Sequence, residues 1–431
     1  MNKNKNKLLI FGVLGGIIIL VLIFVFGFLL KGGDNKDSIY NTQATLSFWS
    51  VGNQALAYQT AINRFNQVYP NVKINYRRFN NVDEYEGVLL DALAAGEGPD
   101  IFVIRNNDLP RKFNKIFPLP TTKYSVNQLK IDFPETVKRD FAPYDKIYAL
   151  PVSVDTLALI YNEDLFNRAA IVFPPKTWRE FENTIPKLTK FGDAGEISCA
   201  GAAIGTTNNI ENAKELISLF MMQSGAEMIN EEYTRAVFDT SESREALNFY
   251  VGFSNSNSQS YTWDTYLPDS IEAFSREKAA IIFGTSQIIS EVESRNSLLK
   301  TEVAEIPQIE DSKRTLAFAR YFGYAVSRQT RHPGIAWDFV LTLTTDEVSA
   351  EEYLKNTSRP PALKTLINKY KNDPKLGVFA RQALIARSWR EPDIEKVDEI
   401  FREMINAVRT GDTRTGEAVS EAAGQVTNLM K

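Results

Sequence analysis

The residues best placed to do chemistry in this chain are two that interrupt an apolar run. Residues 148–166 read YALPVSVDTLALIYNEDLF. Val152, Val154, Leu157, Leu159 and Ile160 give the pattern of a long buried strand, but Asp155 and Thr156 stand where a hydrocarbon side chain would suit it better. A buried polar group needs a partner, so this pair faces solvent, faces a cavity or is hydrogen-bonded inside. Three short turns that follow apolar runs share the polar character: 50–54 with Asn53 and Gln54, 105–108 with Asn106, and 284–287 with Gly284, Thr285 and Ser286. Side chains of these types donate and accept hydrogen bonds, which is the chemistry of recognition.

Other chemistries are removed by what is scarce. One cysteine, Cys199, cannot close an internal disulfide, and one histidine, His332, cannot supply a His/Cys metal site. Cys199 lies among Ser198, Ala200 and Gly201 and reads as an inert thiol, while His332 precedes Pro333 and reads as a helix start. A Gly-Lys dipeptide is absent, which excludes a phosphate loop, and no GxSxG elbow occurs. Gly96 and Gly98 are followed by Ile101, where a dinucleotide fingerprint needs its third glycine. The 53 Asp and Glu residues leave room for a carboxylate pair of the glycoside-hydrolase kind, at positions the sequence does not name. A net charge of −4 without a Lys/Arg cluster argues against nucleic acid. No metal and no cofactor is expected.

The elements that must position the polar turns follow an α/β rhythm. At 431 residues, 44% hydrophobic and 24% charged, the chain is globular in composition and too long for one core. TLSFW (45–49) reads as a strand; Tyr58, Ile62, Phe65 and Tyr69 form a helical stripe stopped by Pro70; Val72, Ile74 and Tyr76 alternate as a second strand. Asn81 with Glu84 is a helix start, Gly96 a helix stop, and IFVI (101–104) a buried third strand. Strand, helix, strand, helix, strand predicts a parallel sheet with right-handed crossovers, whose ligands bind beyond the carboxyl ends of its strands. Pro174, Pro175, Thr177 and Glu180 start another helix, 201–207 suggests a strand and glycine turn, and Ala279, Ile281, Ile282 and Phe283 a further strand. From Gly334 onward the pattern is mostly helical.

Residues 8–30 are 23 in a row without a charge, long enough at about 1.5 Å per residue to cross a bilayer. Lys3, Lys5 and Lys7 precede them, which predicts a short cytoplasmic segment (1–7), a transmembrane anchor (8–30) and a flexible tether (31–43), with the remainder outside. Lys31, Gly32 and Gly33 stand where a lipoprotein would need its cysteine.

Several segments together resemble the extracytoplasmic solute-binding proteins of ABC transporters, family 1, which includes maltose-binding protein. They are TLSFWS, INRFNQVYPNVKI, AAGEGPDIFVI, the stretch 148–166, PPKTWREF, AFSREKAAIIFG and TGDTRTGEAVSEAA. The resemblance runs from about Thr45 to the end of the chain. It implies a two-lobed α/β periplasmic-binding-protein fold of type II that closes on its ligand by a hinge. Lobe one is expected at 44–153 plus 278–317 and lobe two at 154–277 plus 318–431, with Pro151 and Ser153 near the hinge. The implied function is a monomeric, membrane-anchored solute receptor without enzymatic activity, handing a sugar or oligosaccharide to ABC permease subunits. A ligand-sensing domain of the same fold and a carboxylate-pair glycosidase remain as alternatives. The expected polar contacts are Asn53, Gln54, Asn106, Asp155, Thr156, Thr285 and Ser286, with Gly284 beside them. Trp263, Tyr266, Phe322 and Trp389 are the expected platforms for sugar rings.

Overall fold

The computed structural model describes residues 42–312 and 314–431. The expected anchor at 8–30 lies outside the described residues, and among those described no helix is long and apolar enough to cross a membrane.

The first lobe begins as the rhythm predicts: β1 (Ala44–Val51), α1 (Gln59–Val68), β2 (Val72–Phe79), α2 (Val82–Ala95) and β3 (Ile101–Arg105). Helical crossovers return each strand in the same direction, so β1 lies parallel to β2, from Ala44↔Val72 to Val51↔Phe79, and to β3. Asn81 caps α2 by accepting from the Asp83 and Glu84 amides at 2.6 and 3.1 Å, and Gly96 ends it with φ 79°, a left-handed turn that a side chain would strain. α3 (Glu135–Phe141) then packs beneath the sheet, with Val137 and Phe141 fully buried.

The second lobe is built around β4 (Ala158–Asn162). It continues through α4 (Trp178–Leu188), the hairpin β5 (Lys190–Phe191) and β6 (Ile197–Cys199), α5 (Ala213–Gln223), β7 (Ile281–Gly284), α6 (Ser286–Arg295) and β8 (Thr301–Ala304). β4 is central, antiparallel to β7 and to β8. α4 carries the complete capping box of Thr177 and Glu180. α5 buries every residue except Glu215, the sign of a helix enclosed on all sides.

After β9 (Ala317–Phe318) come β10 (Phe322–Val326), α7 (Pro333–Thr344), α8 (Glu347–Thr357), β11 (Ala386–Arg387), α9 (Ile394–Thr410) and α10 (Thr415–Asn428). β10 completes the first sheet as an antiparallel neighbour of β3, and α7 and α8 cover that lobe, whereas α9 and α10 cover the second. His332 stands at the N-cap of α7, as its place before Pro333 predicts.

Two cores result, and they correct the expected partition. The apolar run of β7 joins β4 in the second core, so 278–317 belongs to lobe two, not lobe one. Ala319 and the β10, α7 and α8 residues join the first core, so the segment after residue 318 does not pass wholly to lobe two. An apolar strand advertises burial but not its partner, and nothing local in AAIIF or FGYAV says which sheet will receive it. The chain crosses between lobes near Asp155, again at Phe318 and Ala319, and a third time around β11, where the segments lie side by side: Leu157 N donates to Phe318 O (2.9 Å) and Ala319 N to Arg387 O (3.0 Å). The expected long strand of 152–160 is regular only from Ala158, because its first half is spent on isolated bridges from Ser153 to Pro361 and Thr156 to Ala319. Residues 201–207 form no strand.

Candidate functional site

The carboxyl ends of the first sheet open on a cleft of about 860 Å³ between the lobes. Lobe one supplies the start of α2 and the Arg105–Asn107 end of β3; lobe two supplies Glu211, Asn212 and Glu215 at the start of α5, with Thr285 and Gln287 at the start of α6. The crossing segment from Phe318 to Phe322 makes the floor. A second space of about 620 Å³ shares Glu211, Asn212, Glu215 and Arg320 with the first and extends it toward α9. Each lies in the range of roughly 300–1,000 Å³ usual for small-molecule sites.

Beneath the floor, a buried network ties two of the three crossing segments to α3. The Asp140 carboxylate accepts from Tyr321 OH (2.7 Å), Ser388 Oγ (2.7 Å), Asn106 Nδ2 (3.2 Å) and Thr136 Oγ1 (3.3 Å). Burial pushes this carboxyl up to about 6 from its ordinary 3.8, and the four donors offset only part of that effect. The folded protein therefore holds this proton more tightly than the unfolded chain does, so the group's contribution to stability is greatest at acid pH and falls as pH rises from about 4 through about 6. The unfolding free energy of the wild type relative to Asp140→Asn, measured in urea, should drop by about 2 kcal/mol between pH 4 and pH 7. A difference that stays flat across that window would show Asp140 to be already ionised in the fold.

A second network closes one end of the cleft. Glu391, fully buried, accepts from Lys214 Nζ of α5 at 2.7 Å and from Asn107 Nδ2 of lobe one at 2.8 Å, while its own amide donates to Asn107 O at 2.9 Å. Burial opposes the charge of nearby Glu215, but Lys214, Arg320 and Arg105 outweigh it and hold that carboxyl below its ordinary range. One carboxylate thus joins the lobes at the point where opening would part them.

The structure sorts the expected site residues into three groups. Asn106, Thr285 and Phe322 line the cleft. Of these, Asn106 is 2% exposed and spends its amide on Asp140, Ala319 O and Tyr321 N, whereas the Thr285 hydroxyl makes no hydrogen bond among the described residues. Asn53 lies in a small adjoining space with Ser153 and Arg359, and donates to Tyr353 OH at 2.8 Å. Asp155, Thr156, Ser286 and Gly284 sit behind the lining as a pin between the lobes. Asp155 accepts from Ser286 Oγ (2.6 Å) and N (3.1 Å), burial raising its carboxyl, and Thr156 Oγ1 accepts from Gln382 Nε2 (2.9 Å). A Cβ on Gly284 would come within 2.1 Å of Ile288 Cδ1, so its smallness serves packing. The polar break in the sequence therefore found partners inside the protein.

The third group lies away from the cleft, and here the expectations are corrected. Gln54 is exposed and lines no cavity described. Trp263 is wholly buried in the second core, donating from Nε1 to Asn209 Oδ1 at 3.2 Å. Tyr266 stands on the outer surface and accepts from the Ile197 amide. Trp389 is buried against Phe401, ring centroids 6.1 Å apart, and faces a groove on another side. Aromatic residues close together without a helical period looked like cleft residues; burial in an irregular segment produces the same pattern. Sequence reading missed Arg105, Asn212, Arg320 and Arg359. Arg105 follows IFVI directly and was discoverable as the charge at a strand's carboxyl end; the others carry no local mark.

A cleft between two α/β lobes with three crossing segments defines the class: a two-lobed solute-binding protein. Residues 60–378 match the family described as bacterial extracellular solute-binding protein, and the chain belongs to that family. Its members here are binding proteins of ABC transporters, not enzymes, and the glycosidase alternative is set aside. A maltotriose-binding protein of Pyrococcus abyssi is 23% identical over 344 residues, 76% of this chain and 69% of its own length. A galactooligosaccharide-binding protein of Bacillus subtilis is 20% identical over 411 residues, 90% of this chain and 89% of its own. The structure of a cyclic alpha-maltosyl-1,6-maltose binding protein from Arthrobacter globiformis shares the fold with a TM-score of 0.75 at 17% identity, covering 90% of this chain and all of that one.

Proposed function

We propose that this protein is the membrane-anchored, extracytoplasmic receptor of an ABC importer, taking a sugar or oligosaccharide into the inter-lobe cleft and presenting it to permease subunits. The observation that carries the reading is the cleft itself, about 860 Å³ and sharing four lining residues with a further space of about 620 Å³, lined by hydrogen-bonding side chains from both lobes. That extent suits more than one sugar ring, and relatives named for maltotriose and galactooligosaccharide support the same class. The crossing near Pro151 and Ser153 serves as the hinge, and residues 8–30 serve as the anchor, with Lys3, Lys5 and Lys7 inside. The protein works as a monomer.

The full-length chain in detergent, screened by thermal shift against saccharides, polyols, amino acids and peptides, should be stabilised by at least one saccharide. At 100 times Kd the gain is about 2.7 kcal/mol. Stabilisation by amino acids or peptides alone would end the sugar reading, and release of the chain from membranes by alkaline carbonate would end the anchored one.

A further inference from the structure

The polar groups of the cleft are not balanced. Four of its five acids have partners already: Glu291 pairs with Arg295 at 2.6 Å, Glu215 lies 4.0 Å from Lys214, Glu211 lies 3.5 Å from Arg320, and Asp269 caps its helix by accepting from the Ile271 amide at 2.9 Å, while Asp83 stands in the first turn of α2. Two of the cleft's arginines lack a direct ion pair. Arg105 and Arg359 make no ion pair among the described residues, and Arg105 Nε is buried without a hydrogen-bond partner. Arg105 acts on Glu215 and Arg359 on Asp155 only through space, and those carboxylates already have Lys214 and Ser286 beside them.

Across the cleft, Asn212 is 7% exposed and its Nδ2 also lacks a partner. Its φ of 61° places it in the left-handed region at the head of α5, and its side chain makes no capping bond to that helix. The start of α5 lies at the cleft wall, where a helix end favours negative charge and Glu215 already supplies one. Of the cleft-lining side chains, the two buried atoms left without partners are both N–H donors, one from each lobe. These two donors are short of acceptors, although five carboxylates line the same space. Aromatic surface is short as well, since Phe318 and Tyr321 are 2% and 3% exposed and only Phe322 is partly open.

We propose that the solute is an acidic saccharide whose carboxylate is held by Arg105 and Arg359 of lobe one and by Asn212 with the head of α5 from lobe two. A guanidinium fork matches a carboxylate in two parallel charge-assisted bonds, which a neutral hydroxyl cannot reproduce. Held from both sides, the carboxylate draws the lobes together, and selection for charge takes the place of the paired aromatic platforms this cleft lacks. The inference rests on the saccharide reading of the cleft and specifies its charge.

The test is calorimetric titration of the full-length chain with trigalacturonate, trimannuronate and triguluronate, beside maltotriose and galactotriose as neutral probes. At least one uronate should bind ten times more tightly than either neutral trisaccharide, and more weakly as salt is raised. Arg105→Gln should weaken the best-bound uronate by roughly 30-fold and Arg359→Gln by roughly 10-fold, the scale of a lost charged hydrogen bond. Neutral saccharides binding as tightly as every uronate would overturn the inference and leave the saccharide receptor standing. No binding by any saccharide, neutral or acidic, would overturn both.

Discussion

Lys112→Met should lose roughly 3–5 kcal/mol of unfolding free energy, although no apolar contact of any size is removed. The Lys112 ammonium is 1% exposed and lies 2.5 Å from Glu86 Oε2, with Asp108 hydrogen-bonded to it on the other side. Both carboxylates are themselves buried, and each already has one oxygen, Glu86 Oε1 and Asp108 Oδ1, without a partner. Taking away the shared cation leaves two negative charges facing each other, with Arg111 the nearest remaining cation at 4.0 Å from Asp108. The damage reaches the cleft, because the Asp108 amide donates to Arg105 O at 3.0 Å and so shapes the turn that carries Arg105, Asn106 and Asn107. Urea unfolding at pH 7 measures the loss, and adding Glu86→Met should recover a good part of it by removing one stranded charge. A loss below 1 kcal/mol in the single variant would mean that water reaches the pair and solvates it.

Trp263→Ala is the second large effect, and it separates core from cleft. The side chain is fully buried among second-lobe residues, so truncation leaves a cavity and takes one of two donors from Asn209 Oδ1, which Thr206 Oγ1 still reaches at 2.5 Å, at a cost of about 3–5 kcal/mol. Asn209 also holds the following loop through Asp264 O (2.9 Å) and Leu267 O (3.0 Å), and that loop should loosen with it. The Kd for whichever solute the screen identifies should stay within about threefold, because no atom of Trp263 lines the cleft. The opposite pattern, intact stability with affinity down tenfold or more, would return Trp263 to the path of the ligand.

Legibility followed the range of the interactions. Asn81, Gly96, Thr177 and Glu180 did in the structure what their spacing predicts, because caps and stops act over three or four residues. Asn106 and Thr285 lie on the cleft lining because a turn after a buried strand is where a sheet exposes polar groups. Trp263, Tyr266 and Trp389 were misplaced because aromatic side chains are as useful to a core as to a sugar, and only the packing around them tells which.

The chain by itself determined its α/β elements, its lack of cysteine, histidine and phosphate-loop chemistry, and its likeness to two-lobed solute receptors. Tertiary structure alone decided which sheet received β7 and which received β10, since strand pairing across more than a hundred residues leaves no local trace. It also decided the meaning of the polar break at Asp155 and Thr156, which could face a cavity or find partners until Ser286 and Gln382 closed on them. The donors left without partners came from the same source. Arg105 and Asn212 are separated by more than a hundred positions, and only the folding of two lobes around one cleft brings both to its walls.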